Sequence, residues 1–326
     1  MSDVNKLVLG NSPHVRGKAT TKRIMIDVLV ALAPAALFGI LFFGYMALVI
    51  TVLAVVSAVA AEFAYKLCLK TKLKQIIKEF DYTSAVTGLL VGMNMPPLAN
   101  WYIPVLASVF AVVVVKMIFG GTGKNLVNPA LAGRVFAFLS FGIVAAGGFV
   151  SADISKFGSP EVFSGATQLT AMLTENVLPD NLSLFLGTVP GALGETSALL
   201  LIIGGIYLCI RRVIDFRFPL IFIGVTGLVA VMLNSFNFAY FLPTILSGGL
   251  MLGAIFMATD YTTTPNTKIG NYVYFAALGI LTAVMRELCK VEVVSLVILL
   301  MNITVPLFDK YIVPKPFGFV PKKKEG

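Results

Sequence analysis

Long apolar runs alternate with short polar links over nearly the whole chain. Ten runs stand out, at 24–43, 45–65, 83–98, 101–119, 127–149, 196–210, 216–233, 240–258, 270–285 and 292–309. A hydrocarbon layer about 30 Å thick needs about 20 mainly apolar residues per crossing helix, and most runs approach that length. The pattern predicts an all-α integral membrane protein of about ten transmembrane helices. Two runs are interrupted. The third holds Gly88 and Gly92 and ends at Pro96–Pro97; the eighth holds Gly248, Gly249 and Gly253 before the polar stretch Asp260-Tyr261-Thr262-Thr263-Thr264-Pro265. Glycine and proline weaken or stop a helix, so both runs are expected to be broken or re-entrant.

The interruptions also suggest a repeat. Gly88-Leu-Leu-Val-Gly92 recurs as Gly249-Leu-Met-Leu-Gly253, and each is followed by a proline-bearing break and an aromatic start, Trp101-Tyr102 and Tyr272-Val273-Tyr274. Five crossings per half turn the second copy upside down. Two inverted five-helix repeats are therefore expected, at 24–149 and 196–309, an arrangement that many transporters use to build a site near the bilayer midplane.

Composition agrees with lipid exposure. Apolar residues make up 58% of the chain and charged residues 13%, against roughly 25% charge in a soluble domain. The net charge of +9 does not indicate nucleic acid, because the basic residues sit at the ends of apolar runs. With the N-terminus in the cytoplasm, 22 of the 25 Lys and Arg fall on the inner side and only Lys156, Arg286 and Lys290 outside. Insertion leaves positive charge inside, so both termini are expected in the cytoplasm: a polar N-terminal segment, 1–23, and a basic tail, 310–326. The long loop 150–195 then lies outside. It carries acidic residues against Lys156 alone, and a loop of that length is usually functional.

That loop contains Ser164-Gly165-Ala166-Thr167. At average residue usage this tetrapeptide arises by chance in roughly one chain in a hundred of this length. Elsewhere, Asn125, Asn128 and Pro129 open the fifth run, where proline suits a first helical turn. Their amides, with Asp260, are candidates for lining a pocket for a polar ring. Asp27 and Glu62 lie at membrane depth, where carboxylates are costly, and are the ion-coupling candidates. Asp81 reads as a helix cap, and His14 as a structural or subunit contact. Residues 66–78, rich in lysine around Ile76 and Ile77, read as an interfacial amphipathic segment. Cys68, Cys209 and Cys289 form no paired motif for a cluster or zinc, and no glycine-rich dinucleotide fingerprint follows a strand.

The loop motif is similar to the flavinylation motif Asp-Gly-x-Ser/Thr-Gly-Ala-Thr of bacterial redox-driven ion pumps, with Glu161 and Val162 departing from it. The whole chain resembles the family of the Rnf complex D subunit and the B subunit of the sodium-pumping NADH:quinone reductase. The markers are Ser12-Pro13-His14, Gly120–Leu131, the Ser164–Thr167 loop, and Ala258-Thr259-Asp260 with Pro265. The resemblance implies FMN joined to Thr167 as a phosphoester by a flavin transferase, with Ser164, Gly165 and Ala166 completing the motif. It also implies a non-covalent riboflavin on the cytoplasmic side, for which Asn125, Asn128 and Asp260 are candidates. The function implied is electron transfer within an ion-translocating ferredoxin:NAD+ oxidoreductase of a bacterial or archaeal cytoplasmic membrane. Other members of the complex, a second FMN-bearing subunit and iron–sulfur subunits among them, would be the partners. Coupling would be to Na+ or H+. An inverted-repeat transporter or channel of urea-transporter-like architecture is the alternative.

Overall fold

The computed structural model describes residues 20–142, 167–195 and 197–313, and the regular structure among them is entirely helical. The first half contains α1 (Thr21–Phe43), α2 (Tyr45–Cys68), the short α3 (Leu73–Lys78), α4 (Thr83–Met93), α5 (Tyr102–Met117) and α6 (Pro129–Phe141). Two short helices follow, α7 (Gln168–Glu175) and α8 (Asn181–Leu186). The second half contains α9 (Ala198–Ile210), α10 (Arg217–Leu233), α11 (Phe238–Leu246), α12 (Leu250–Met257), α13 (Lys268–Cys289) and α14 (Val294–Tyr311).

Each of the ten apolar runs becomes a helix or a bent helix pair. Among the described residues, four are long and apolar enough to cross a membrane alone (α1, α2, α13 and α14), α11 with α12 forms one bent pair, and α4, α5, α6, α9 and α10 are shorter apolar helices. Several segments therefore fall short of the full crossing that the runs suggest. α9, with 13 residues, rises about 20 Å at 1.5 Å per residue, less than a hydrocarbon layer.

Local chemistry sets the helix ends. Thr20 caps α1 by accepting the Arg23 N–H at 3.3 Å, and Gly44, at φ 86°, turns the chain into α2. Asn128 caps α6, its Oδ1 accepting the N–H groups of Ala130 and Leu131, while Pro129 fills the first turn. The expectation of a helix start at these residues is met, for the reason that proline has no N–H to orphan there.

The halves pair through their outer helices: α1 packs on α9, and α6 on α14. α1 and α9 run antiparallel. Asp27, near the start of α1, meets Arg211 just past the end of α9; a Cβ on Gly204 would overlap the Ala31 carbonyl oxygen, and one on Gly39 would come 2.5 Å from the Leu193 carbonyl oxygen before α9 begins. The first helix of the second half thus runs opposite to the first helix of the chain, as an inverted repeat requires. The matched glycine motifs do not share one job, however. Gly88 and Gly92 let α4 sit against the α2 backbone at Ala54 and Thr51, whereas Gly249 leaves room for Glu195 and Arg134, and Gly253 for Val294.

Both breaks sit elsewhere than proline and the polar stretch alone suggest. α4 stops at Met93, before Pro96, and its freed carbonyls take the loop before α9: Gly194 N–H donates to Met93 O at 2.6 Å and Leu193 N–H to Met95 O at 3.4 Å. The eighth run bends by 66° between α11 and α12, at Ser247–Gly249, where Gly248 adopts φ 66°. There Arg286 donates to the carbonyls of Thr244 (2.9 Å) and Ser247 (3.3 Å). Broken backbone at membrane depth persists only where such partners replace the lost ladder bonds.

The core runs along the bundle axis through Leu32, Ile103, Leu131, Phe222, Leu250, Tyr274 and Ile298, while Leu41, Val56, Ile210 and Leu220 are exposed on its outer faces. Only 33–39% of each spanning helix's apolar window is buried within the chain. The rest suits contact with lipid.

Candidate functional site

At the end of the bundle where α1 begins lies a cavity of about 320 Å³. Its lining combines apolar residues, among them Ile24, Met25, Val28, Leu208, Ile255 and Phe256, with polar ones, among them Thr83, Lys116, Thr122, Asn125, Asp260 and Thr262. Asn128 also lines it, so the cavity brings together all three residues expected to form a pocket. The Asn125 Nδ2 donates to Thr262 Oγ1 (3.0 Å) and Val127 O (3.1 Å), and Thr262 Oγ1 donates to Asp260 Oδ2 (2.9 Å). Asn128 Nδ2 reaches the Met257 carbonyl at 3.1 Å, fastening α6 to the end of α12. The Tyr261 hydroxyl donates to the Val213 carbonyl and ties the link after α12 to that between α9 and α10.

Lys116 is 3% exposed. Its ammonium donates to Glu62 Oε2 at 3.0 Å and to Thr83 Oγ1, while Lys66 holds the other Glu62 oxygen at 2.5 Å. Asp81 accepts the Thr83 N–H and hydroxyl and the Thr122 hydroxyl; it lies one residue before Tyr82, the N-cap of α4, so it ties down the first turn without being the cap itself. Burial pushes its carboxyl up, but the Thr83 hydroxyl, the Lys116 charge and the Thr122 hydroxyl outweigh it and leave it below the ordinary value. Asp27 accepts from Tyr207 Oη (3.1 Å) and from Arg211 Nε (3.2 Å) and Nη2 (3.1 Å). Asp27 and Glu62, the ion-coupling candidates, each have a basic partner, and neither lines the cavity.

At the opposite end, Thr167 is the half-buried N-cap of α7. Its Oγ1 accepts the Thr170 N–H at 3.3 Å and lies 2.9 Å from Thr170 Oγ1. It borders a small cleft shared with Gln168, Pro190, Gly191, Glu195, Ser247 and Gly248. Ser164, Gly165 and Ala166 lie outside the described residues, as do His14 and Lys156. Leu169 and Met172 are buried beneath α7, where they line a second small cleft with residues of α10, α11 and α13.

Beneath the Thr167 cleft runs a chain of buried charges that sequence inspection missed. Arg134 donates to Asn94 Oδ1 (2.6 Å) and Glu195 Oε1 (2.8 Å); Arg286, 2% exposed, donates to Glu292 Oε2 (2.7 Å). Glu292 lies against Gly248 and Glu195 against Gly249, so both carboxylates flank the α11–α12 break. Charge counting assigned Lys116 and Arg134 to the inner side and Arg286 to the outer, yet all three are buried within helices. The signal for them was position: Lys116 and Arg134 interrupt apolar runs and Arg286 directly follows one, where a bare charge is costly and needs a partner.

The family described as NQR2, RnfD, RnfE matches residues 8–318. The chain is 36% identical over 331 residues to the D subunit of the Na+-translocating ferredoxin:NAD+ oxidoreductase complex of Acetobacterium woodii, covering 100% of this chain and 99% of the relative. It is 34% identical to the D subunit of the ion-translocating oxidoreductase complex of Halorhodospira halophila, with 97% and 96% covered. It is 32% identical to the D subunit of the proton-translocating ferredoxin:NAD+ oxidoreductase complex of Clostridium ljungdahlii, with 96% and 97% covered. With a match across nearly its whole length and relatives that share its extent, the chain belongs to the NQR2, RnfD, RnfE family.

Proposed function

We propose that this chain is the electron-carrying membrane subunit of an ion-translocating ferredoxin:NAD+ oxidoreductase. One flavin, FMN, is esterified to Thr167, and a second, non-covalent flavin occupies the cavity of Asn125, Asn128 and Asp260. Both termini face the cytoplasm and the Thr167 end faces outside. The complex moves Na+ or H+. Other subunits, carrying FMN and iron–sulfur centres, exchange electrons with this one, and a flavin transferase matures it.

The observation that carries the proposal is the separation of two suitable sites to opposite ends of one bundle. The cavity's volume of about 320 Å³ falls at the lower edge of the range for small-molecule sites, and its mixed apolar and polar lining suits a flat aromatic ring with a polar edge. Ile24, Val28, Ile255 and Phe256 would pack against the ring face and exclude water. Asn125, Asn128 and Thr262 would orient its hydrogen-bonding edge. Lys116 is already neutralised by Glu62, which favours a ligand without a phosphate.

At the other end, Thr167 supplies a hydroxyl at a helix start, where the partial positive charge of the first turn favours an attached phosphate. The Ser247 hydroxyl, buried without a hydrogen-bond partner, lines the same cleft and adds a free donor. A bound isoalloxazine supplies the redox chemistry that no side chain here provides; the protein positions it and sets its surroundings.

The test is in-gel fluorescence of the denatured full chain after coexpression with a flavin transferase. Ultraviolet fluorescence that vanishes in Thr167→Ala is the expected result. A dark wild-type band overturns the covalent assignment.

A further inference from the structure

The link between α2 and α4 has a surface that neither the flavin sites nor the bundle core uses. Lys70, Lys72, Lys74 and Lys78 are exposed, and the acidic side chains within residues 66–82 are Glu79 and Asp81, of which Glu79 accepts from Gln75 at 2.9 Å and Asp81 from Thr83 and Thr122. Interleaved with these lysines are large apolar side chains that are not buried: Leu67 is 48% exposed, Leu69 64%, Leu73 53% and Ile77 59%. On α3, Leu73 and Ile77 stand one turn apart on one face, and Lys74 and Lys78 one turn apart beside them. Ile76, fully buried, fixes α3 to the body of the protein.

Aromatic rings flank the segment. Phe63 and Phe80 lie 5.5 Å apart, Phe80 and Tyr82 4.9 Å, and the Lys22 ammonium sits 5.2 Å from the centre of the Tyr82 ring. Aromatic side chains concentrate where a span meets the headgroup layer. The exposed leucines and isoleucine continue the apolar outer surface of α2, where Val52 is 48% and Val56 58% exposed. An acidic protein surface would answer the lysines but leave that apolar strip in water. Lipid answers both, with acyl chains against the strip and phosphates against the ammonium groups.

We propose that residues 66–82 form an anchor at headgroup level that binds anionic phospholipid, with Lys70, Lys72, Lys74 and Lys78 on the phosphates and Leu73 and Ile77 among the upper acyl carbons. The anchor holds the link to α4 at a fixed depth in the leaflet on the α1 N-terminal side. Because Thr83 and Asp81 sit at the far end of this link and border the Lys116 network, lipid at the anchor steadies one wall of the cavity.

The experiment uses the full chain in phosphatidylcholine nanodiscs with or without phosphatidylglycerol, with bound lipid read by native mass spectrometry at low salt. The wild-type chain is expected to retain phosphatidylglycerol selectively, and the quadruple Lys70, Lys72, Lys74, Lys78→Gln variant to lose at least about tenfold in its affinity. The matching Lys→Arg variant keeps it. Should the quadruple variant not fold, Lys74→Gln and Lys78→Gln alone are each expected to lose roughly fivefold. Equal retention of both lipids by the wild-type chain overturns the proposal. So does a glutamine variant that keeps the lipid preference.

Discussion

The two ends of the bundle differ in how each uses a buried cation. Each has a buried cation near the C-terminal end of the fourth long helix of its half, Lys116 on α5 and Arg286 on α13. Lys116 meets a carboxylate and a hydroxyl, and the backbone around it is left to enclose a cavity. Arg286 spends two donors on carbonyls of the α11–α12 break and one on Glu292, which draws the break inward and leaves only a shallow cleft beside Thr167. A compact ammonium thus stands beside a pocket at one end of the bundle, and a forked guanidinium holds a helix break at the other.

Substitution of the two cations gives the sharpest test of that contrast. Arg286→Ala leaves Glu292 and two carbonyls without their partner and is expected to cost about 3–5 kcal/mol, measured by chemical or thermal unfolding in detergent. Lys116→Met is expected to cost less, because Glu62 keeps Lys66. Equal losses would mean that the two ends are not organised differently.

A smaller effect tests the pairing of the halves. Gly204→Val forces a side chain into the Ala31 backbone, and overpacking of this kind costs about 1–3 kcal/mol. The same change at Gly224, which has open space around it, should be nearly silent in the same unfolding assay.

Removing the α7 cap ranks next. Thr167→Ala is expected to cost about 1 kcal/mol and to speed hydrogen exchange in α7 alone, while Thr167→Ser preserves protection. The smallest effect is one of pH at the cavity end. The Asp81 carboxyl lies below its ordinary value in the folded chain, so its contribution is full above about pH 4 and fades as pH falls through the folded value. Asp81→Asn should flatten the stability profile in that acid window and leave neutral behaviour unchanged in slope.

Much of this was legible from spacing. The ten apolar runs mark ten helices or bent pairs because burial in lipid leaves little freedom in composition, and Asn128–Pro129 announces a helix start through proline's missing donor. Asn125, Asn128 and Asp260 could be grouped because polar side chains at the ends of apolar runs have few places to go. The breaks were harder. Pro96–Pro97 and the 260–265 stretch drew attention, yet the chain departs from helix at Asn94 and at Ser247–Gly249, where Arg134 arrives from a distant helix to the Asn94 side chain and Arg286 to the freed Ser247 carbonyl. Long-range pairings such as Arg134–Glu195 and Arg286–Glu292 leave no local pattern. Topological charge counting even hid them, since it treats every basic residue as a surface charge.

The central claim is that Thr167 carries one end of an electron path. Mass spectrometry of the Thr167-containing peptide, from complex purified out of cells that hold a flavin transferase, tests it most directly. The predicted result is an FMN phosphoester on Thr167, absent when the transferase is deleted. An unmodified Thr167 in complex that still couples ferredoxin oxidation to NAD+ reduction would contradict it.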